Sequence, residues 1–204
     1  MGKNTYLSVD LDYWYRPGMR NSIDFIKELM GLNRPVTVFT EHHLVLKEIK
    51  KPYKRVYNID YHSDITEPAP GWPECGNWVN HVPGRGQGKF MWCLPNWKEC
   101  VTNGNGFCHR IRQESSIYNP FIDDTMHSWR SVNRQVGIRN LPLDDVDRIS
   151  LVLSPEWSFG EYISDTLCYL IAAQEDGKVD FYGRRVKPLI KEMLRRGGPF
   201  YNWY

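Results

Sequence analysis

Residues 54–64 read KRVYNIDYHSD, and this stretch decides how the chain is organised. Its first part is β-branched and apolar, the pattern of a strand inside a sheet. It then places Asp60, His62 and Asp64 at two-residue intervals. Side chains two apart on an extended strand share a face, so this spacing gathers two carboxylates and an imidazole on one spot. Either that face is simply wet, or a cation sits between the acids.

The same passage from apolar to polar recurs elsewhere. YLSVDLDYW (6–14) runs into Asp10 and Asp12, and PVTVFTEHH (35–43) runs into Glu41, His42 and His43. DRISLVLSPEW (147–157) is the most continuous apolar run and ends at Glu156, as suits a central strand buried on both faces. KFMWCLP (89–95) and SWRSVNRQVGI (128–138) are weaker strand candidates. Helical patterns cover 18–31, ending at a glycine cap, then 43–51, stopped by Pro52, then 159–177 and 184–198. Strands alternating with helices predict parallel βαβ units, hence an α/β fold: a three-layer sandwich around a mainly parallel central sheet. Residues 66–127 interrupt the alternation with a stretch rich in Pro, Gly, Asn and Trp, read as a long loop-rich insertion in one domain spanning 1–204.

Composition narrows the function classes. The chain has 204 residues with 41% hydrophobic and 25% charged content, ordinary for a soluble domain with a full core. A formal net charge of +2 gives no basis for a nucleic-acid or membrane-surface partner. No apolar run is long enough for a transmembrane helix, and MGKNTYLSVDLDYW enters a strand pattern without a signal-peptide core. The expected compartment is the cytoplasm, with the five cysteines reduced. A zinc site from Cys75, Cys93, Cys100, Cys108 and His109 is conceivable, but no C-x-x-C pair supports it.

In open α/β sheets, ligands bind beyond the carboxyl ends of the strands, and three polar clusters are expected along that edge. Each alone has an ordinary explanation as a turn, a solvated face or a surface histidine. Together they pack carboxylates that would repel one another and shift each other's pKa values severely. Divalent cations resolve that repulsion. Oxygen-rich ligation with one imidazole per ion suits Mn²⁺ or a similar hard divalent ion, and there are donors enough for two ions sharing bridging carboxylates.

TEHHLVL (40–46), NIDYHSD (58–64) and LSVDLDYW (7–14) resemble the metal motifs of the arginase (ureohydrolase) superfamily. The likeness is greatest to a small branch with E-x-H, I-D-x-H-x-D and S-I-D-L-D-Y-F motifs, some of whose members convert arginine side chains of peptides to ornithine. The resemblance implies an arginase-like fold with two manganese ions that activate water against a guanidinium carbon, releasing urea. It implies His43, Asp60, Asp64 and Asp10 around one ion, and Asp60, His62, Asp10 and Asp12 around the other, with Asp60 and Asp10 bridging. His43 rather than His42 is the expected ligand, because the family places its histidine just before the following helix. Glu156 falls where the family carries a glutamate that pairs with the substrate guanidinium. GNWVNHV (76–82) falls where arginases line the substrate, making Asn77 and Asn80 substrate contacts and His81 the proton shuttle. The chain departs from the family by opening with the D-x-D motif, and by being shorter.

The implied partner is an arginine-like small molecule or an arginine-containing peptide. Two other readings stay open at this point. One is a different metal hydrolase, an amidohydrolase or a phosphoesterase, although the G-D-x-x-D and G-N-H-D/E segments of phosphoesterases are missing. The other is a non-enzymatic binding protein on an arginase-like scaffold, using the 66–127 loops and the basic helix with Arg184, Arg185, Lys187, Lys191, Arg195 and Arg196.

Overall fold

The computed structural model describes residues 4–14, 22–50, 52–62, 64, 71–83, 90–94, 133–136, 138, 141–158 and 160–197. Among the described residues, seven parallel strands form one sheet: β1 (Thr5–Asp10), β2 (Val36–Phe39), β3 (Arg55–Ile59), β4 (Phe90–Leu94), β5 (Asn133–Val136), β6 (Val146–Val152) and β7 (Asp180–Phe181). Their order is β5-β4-β3-β1-β6-β2-β7. The predicted α/β class and parallel sheet are therefore observed. β4 lies inside the stretch expected to be loop-rich, so that insertion contributes a strand beside β3. β7 was not expected, being two residues long.

Strand alternation sorts the apolar residues into two layers. Leu7 and Val9 of β1, Tyr57 and Ile59 of β3, and Ile149 and Leu151 of β6 face one side. There they meet Phe25, Ile26 and Leu29 of α1 (Ser22–Gly31), Ile163, Leu167 and Leu170 of α2 (Gly160–Glu175), and Val186, Ile190 and Met193 of α3 (Val186–Arg196). A buried Ser22–Thr166 hydroxyl pair at 2.7 Å ties α1 to α2. Gly160 permits the approach of α2 to α3: a Cβ there would sit 2.5 Å from the Met193 carbonyl oxygen. Pro188 is tolerated because it falls in the first turn of α3, where no intrahelical N–H bond is lost. The basic side chains of α3 face solvent on the side away from the core, with Lys187 paired to Glu175 and Arg195 and Arg196 to Glu192. None of the described helices is long and apolar enough to cross a membrane.

The opposite side of the sheet carries Tyr6, Val56, Phe90, Trp92, Phe39 and Val152. It is covered by two short 3₁₀ helices, His42–Lys47 and Trp78–His81, through Val45, Trp78 and Val79. The first of these replaces the α-helix expected over 43–51.

One row of this face is polar. Asn58, Ser8, Ser150 and Thr37 are register partners on β3, β1, β6 and β2, all of them buried. Buried polar groups need partners: Ser8 and Asn58 find theirs in the site above the row, His42 and Asp60, while Thr37 and Ser150 donate to Glu48. The chain leaves β1 for β2 on one side and later returns to β3 on the other. That reversal opens a crevice at the carboxyl ends of β1 and β3, where parallel sheets take their ligands.

Candidate metal centre

β1 ends at Asp10 and β3 at Ile59, and both strands leave the sheet by the same local device. The Asp12 N–H donates to Asp10 Oδ1 at 3.0 Å, and the His62 N–H donates to Asp60 Oδ1 at 2.6 Å. Each aspartate thus accepts from the residue two ahead and turns its own backbone. The three side chains of D-x-H-x-D therefore do not line one face of a strand, as the spacing suggested. A turn brings them together, and Asp64 completes it with a left-handed backbone, φ 52°. Ser154, after β6, has φ 39° and donates from its hydroxyl to Asp10 Oδ2 at 2.5 Å. Two non-glycine residues in a sparsely allowed region beside one cluster fit the tendency of strain to collect at functional sites.

The histidine among these acids is His42, not His43. Its Nδ1 lies 3.1 Å from Asp10 Oδ2, 3.1 Å from Asp60 Oδ2 and 2.8 Å from Asp64 Oδ2. The expectation for His43 fails because β2 ends at Phe39 and the 3₁₀ helix starts at His42. That phase turns the first histidine inward and the second outward. His43 stands partly exposed, 3.4 Å from Glu41 and 3.6 Å from the Cys75 sulfur. On the far side of the His42 ring, Nε2 meets Ser8 Oγ at 2.7 Å. With Nε2 directed at Ser8, Nδ1 is the ring atom left to face the acids, and it would ligate a cation placed among them.

Asp12, Asp60 and His62 form a second trio. His62 Nδ1 is 2.7 Å from Asp12 Oδ2 and 3.8 Å from Asp60 Oδ1. Asp60 thus stands in both groups, one oxygen toward each histidine. Its carboxylate is further fixed by the Asn58 amide, which donates to Oδ2 at 3.0 Å.

The electrostatics are those of crowded, buried carboxylates. Burial, and then repulsion from Asp10 and Asp60, raises the Asp12 pKa well above the usual range. Burial, with the Asp60 charge added, raises Asp64 to about 7. Burial alone would lower the His62 pKa, but the Asp12 carboxylate with Asp60 and Asp64 outweighs it and raises His62 to about 10. The His62 side chain is one-third exposed, so solvent screening moderates that pull. His42, fully buried, goes up too: desolvation opposes it and the Asp64 charge with three carboxylate contacts prevails. Asp60 alone goes down, burial being outweighed by contacts with His42.

Glu156 is half-buried in the turn after β6. Burial raises its pKa, with the charges of Glu41 and Asp10 adding. Asn77 braces the 72–77 turn: its Oδ1 accepts from the Glu74 N–H at 2.7 Å and its Nδ2 donates to the Trp72 carbonyl at 3.4 Å. Asn80 and His81 lie on the same 3₁₀ helix as Trp78. No hydrogen bond or ion pair among the described residues joins His81 to the acids, and its Nε2 is buried without a hydrogen-bond partner. Of the cysteines, Cys93 is buried in the helix-side core, while Cys100, Cys108 and His109 lie outside the described residues.

Several site residues carried no motif. Trp78, fully buried, donates from Nε1 to Asp64 Oδ2 at 2.6 Å and stacks on the His42 ring, centroids 4.6 Å apart. Trp92 donates to the Asp60 carbonyl at 3.0 Å. Trp157 meets the His62 ring edge-on at 5.2 Å and is itself 47% exposed. A signal existed for Ser8 and Asn58: each precedes its aspartate by two positions, on the same face of an otherwise apolar strand.

The donor set fits a divalent ion. One Nδ1 proton cannot serve three carboxylates at once. Donors about 2.1 Å from a six-coordinate ion, at right angles, stand roughly 3 Å apart, the separation seen around His42. Asp10, His42, Asp60 and Asp64 would hold one ion, and Asp12, Asp60 and His62 a second. Comparison of the chain with protein-family models, curated proteins and solved structures gives no match in any of the three.

Proposed function

We propose that the chain is an arginase-like hydrolase that uses two divalent ions, manganese by preference, to cleave a C–N bond of a guanidinium or related group. The observation that carries this reading is Asp60, shared by two acid–histidine trios at the crevice between β1 and β3. Paired ions in such a site supply Lewis acidity and lower the pKa of water. The oxygen-rich donor set favours a hard ion over structural zinc.

The surrounding residues suit a planar cation. Glu156 sits near Glu41 and Asp10 and is held up in pKa by burial first and by their charges; a guanidinium would relieve that strain and pair with the carboxylate. Trp157 offers an exposed ring beside His62, and guanidinium groups stack favourably on indole faces. His81 keeps the proton-transfer role in this reading, its Nε2 being a buried and unsatisfied donor or acceptor. The exposed Trp72 and Trp157 favour an arginine carried on a peptide over free arginine. Free Cys75, Cys93 and Cys168 accord with a cytoplasmic setting.

The test is urea release by manganese-loaded protein from arginine and from arginine-containing peptides, with Asp60→Asn alongside. Release that disappears in the variant supports the reading. Protein that binds two ions yet releases no urea from any guanidinium substrate would remove the activity and leave the metal centre.

A further inference from the structure

Glu41, His43 and Cys75 converge outside the buried acid cluster, their donor atoms all within 4.8 Å of one another. A single atom, His43 Nδ1, stands 3.6 Å from the Cys75 sulfur and 3.4 Å from Glu41 Oε2. One ring proton cannot serve both, and the carboxylate contact is long for a charge-assisted hydrogen bond, ordinarily about 2.7–2.9 Å. The separations match something else. A tetrahedral zinc lies about 2.3 Å from sulfur and about 2.0–2.2 Å from imidazole nitrogen or carboxylate oxygen. Simple trigonometry then puts sulfur and nitrogen roughly 3.6 Å apart, and nitrogen and oxygen roughly 3.4 Å apart.

We propose that Glu41, His43 and Cys75 form a separate site for a zinc-class divalent ion, held by one oxygen, one nitrogen and one sulfur. Three protein donors leave the fourth position open, the arrangement of zinc sites that bind a water or a ligand rather than closed structural ones. Burial raises the Cys75 thiol pKa to about 12, with the Asp64 and Glu41 charges adding, against the backbone N–H groups of His42 and His43 that hydrogen-bond to its sulfur. A metal cation would offset that cost, since thiols deprotonate outright on coordination. The donors differ in kind from those of the acid cluster. Thiolate and imidazole select a borderline-soft ion, whereas the carboxylates of Asp10, Asp12, Asp60 and Asp64 select a hard one. Adjacent histidines thus serve opposite sides of one turn: His42 faces the acids and His43 faces the thiol.

This site does not depend on the proposed hydrolase activity, and the experiment keeps the two apart. Reduced, full-length protein is titrated with Co²⁺ in the presence of saturating Mn²⁺, and the near-ultraviolet thiolate-to-cobalt charge-transfer band is followed. One equivalent is expected to give the band together with the intense visible bands of four-coordinate cobalt, and Zn²⁺ is expected to abolish both. Cys75→Ser is expected to lose the charge-transfer band, and His43→Ala to weaken cobalt binding at least tenfold. Circular dichroism checks that each variant folds. Absence of the band in the native protein, its persistence in Cys75→Ser, or its displacement by Mn²⁺ would each overturn the proposal.

Discussion

Asp60 is the most heavily engaged side chain of the cluster. Its Oδ1 accepts from the His62 backbone, and its Oδ2 takes the Asn58 amide and faces His42. Such supporting contacts orient a ligand and tune its basicity, and losing one costs about 10–100-fold in metal affinity. Ser8→Ala and Asn58→Leu are therefore each expected to weaken Mn²⁺ binding by about that factor, measured by calorimetric titration, without touching the metal. His42→Ala is expected to do more, and His43→Ala to leave Mn²⁺ binding unchanged; the reverse order would show the wrong histidine has been assigned. The sequence located the acids because Asp pairs at strand ends are conspicuous. It could not choose between consecutive histidines, because the choice depends on the phase at which β2 gives way to the 3₁₀ helix. Protons compete for the same donors. Ligands bind metal deprotonated, and Asp64 titrates near 7 while His62 holds its proton to about 10. Mn²⁺ affinity should rise with pH across neutrality, with proton release visible as a dependence of binding heat on buffer ionisation enthalpy.

At the scale of elements, the sheet and its helical layer were legible, and the covering of the opposite face was not. Alternating apolar runs and β-branched residues mark β1, β2, β3 and β6 directly. β7, two residues long, offers no pattern to read. The segment after β2 resembles an α-helix in composition but winds as a 3₁₀ helix over His42–Lys47, which aims His42 and Val45 at the sheet. Trp78 was equally hidden, since an aromatic in a loop-like stretch does not announce a hydrogen bond to Asp64. The helix layer makes its own prediction. Gly160 begins α2 where a methyl group would meet the Met193 carbonyl. Alanine usually stabilises a helix relative to glycine, but here overpacking should dominate. Gly160→Ala is expected to destabilise the fold by about 1–3 kcal/mol, read as a lowered denaturant midpoint. On the sheet, Leu151→Ala should cost about 2–5 kcal/mol, because β6 is central and the side chain fully buried.

For the whole molecule, the candidate metal centre and the stability of the fold are one problem. Asp10, Asp12, Asp60 and Asp64 gather at the crevice where the chain reverses between β1 and β3, and without cations their charges oppose folding. The sign follows from the shifts. Asp64, raised from 3.8 to about 7, contributes stability below 3.8 that is lost as pH climbs through 7. His62, raised from 6.5 to about 10, contributes stability below 6.5 that is lost on the way to 10. Metal-free protein should therefore melt at lower temperature as pH rises from about 4 to about 10, the range these two groups span together. Mn²⁺ should reverse the trend, since a ligand bound only to the folded state stabilises it by mass action. Scanning calorimetry with and without a chelator measures both. The central claim is the pair of ions bridged by Asp60, and elemental analysis of purified protein after Mn²⁺ loading tests it most directly. Two equivalents of manganese in the native chain, falling to one or none in Asp60→Asn, is the predicted result. Less than one equivalent in the native chain, or an unchanged count in the variant, would contradict it.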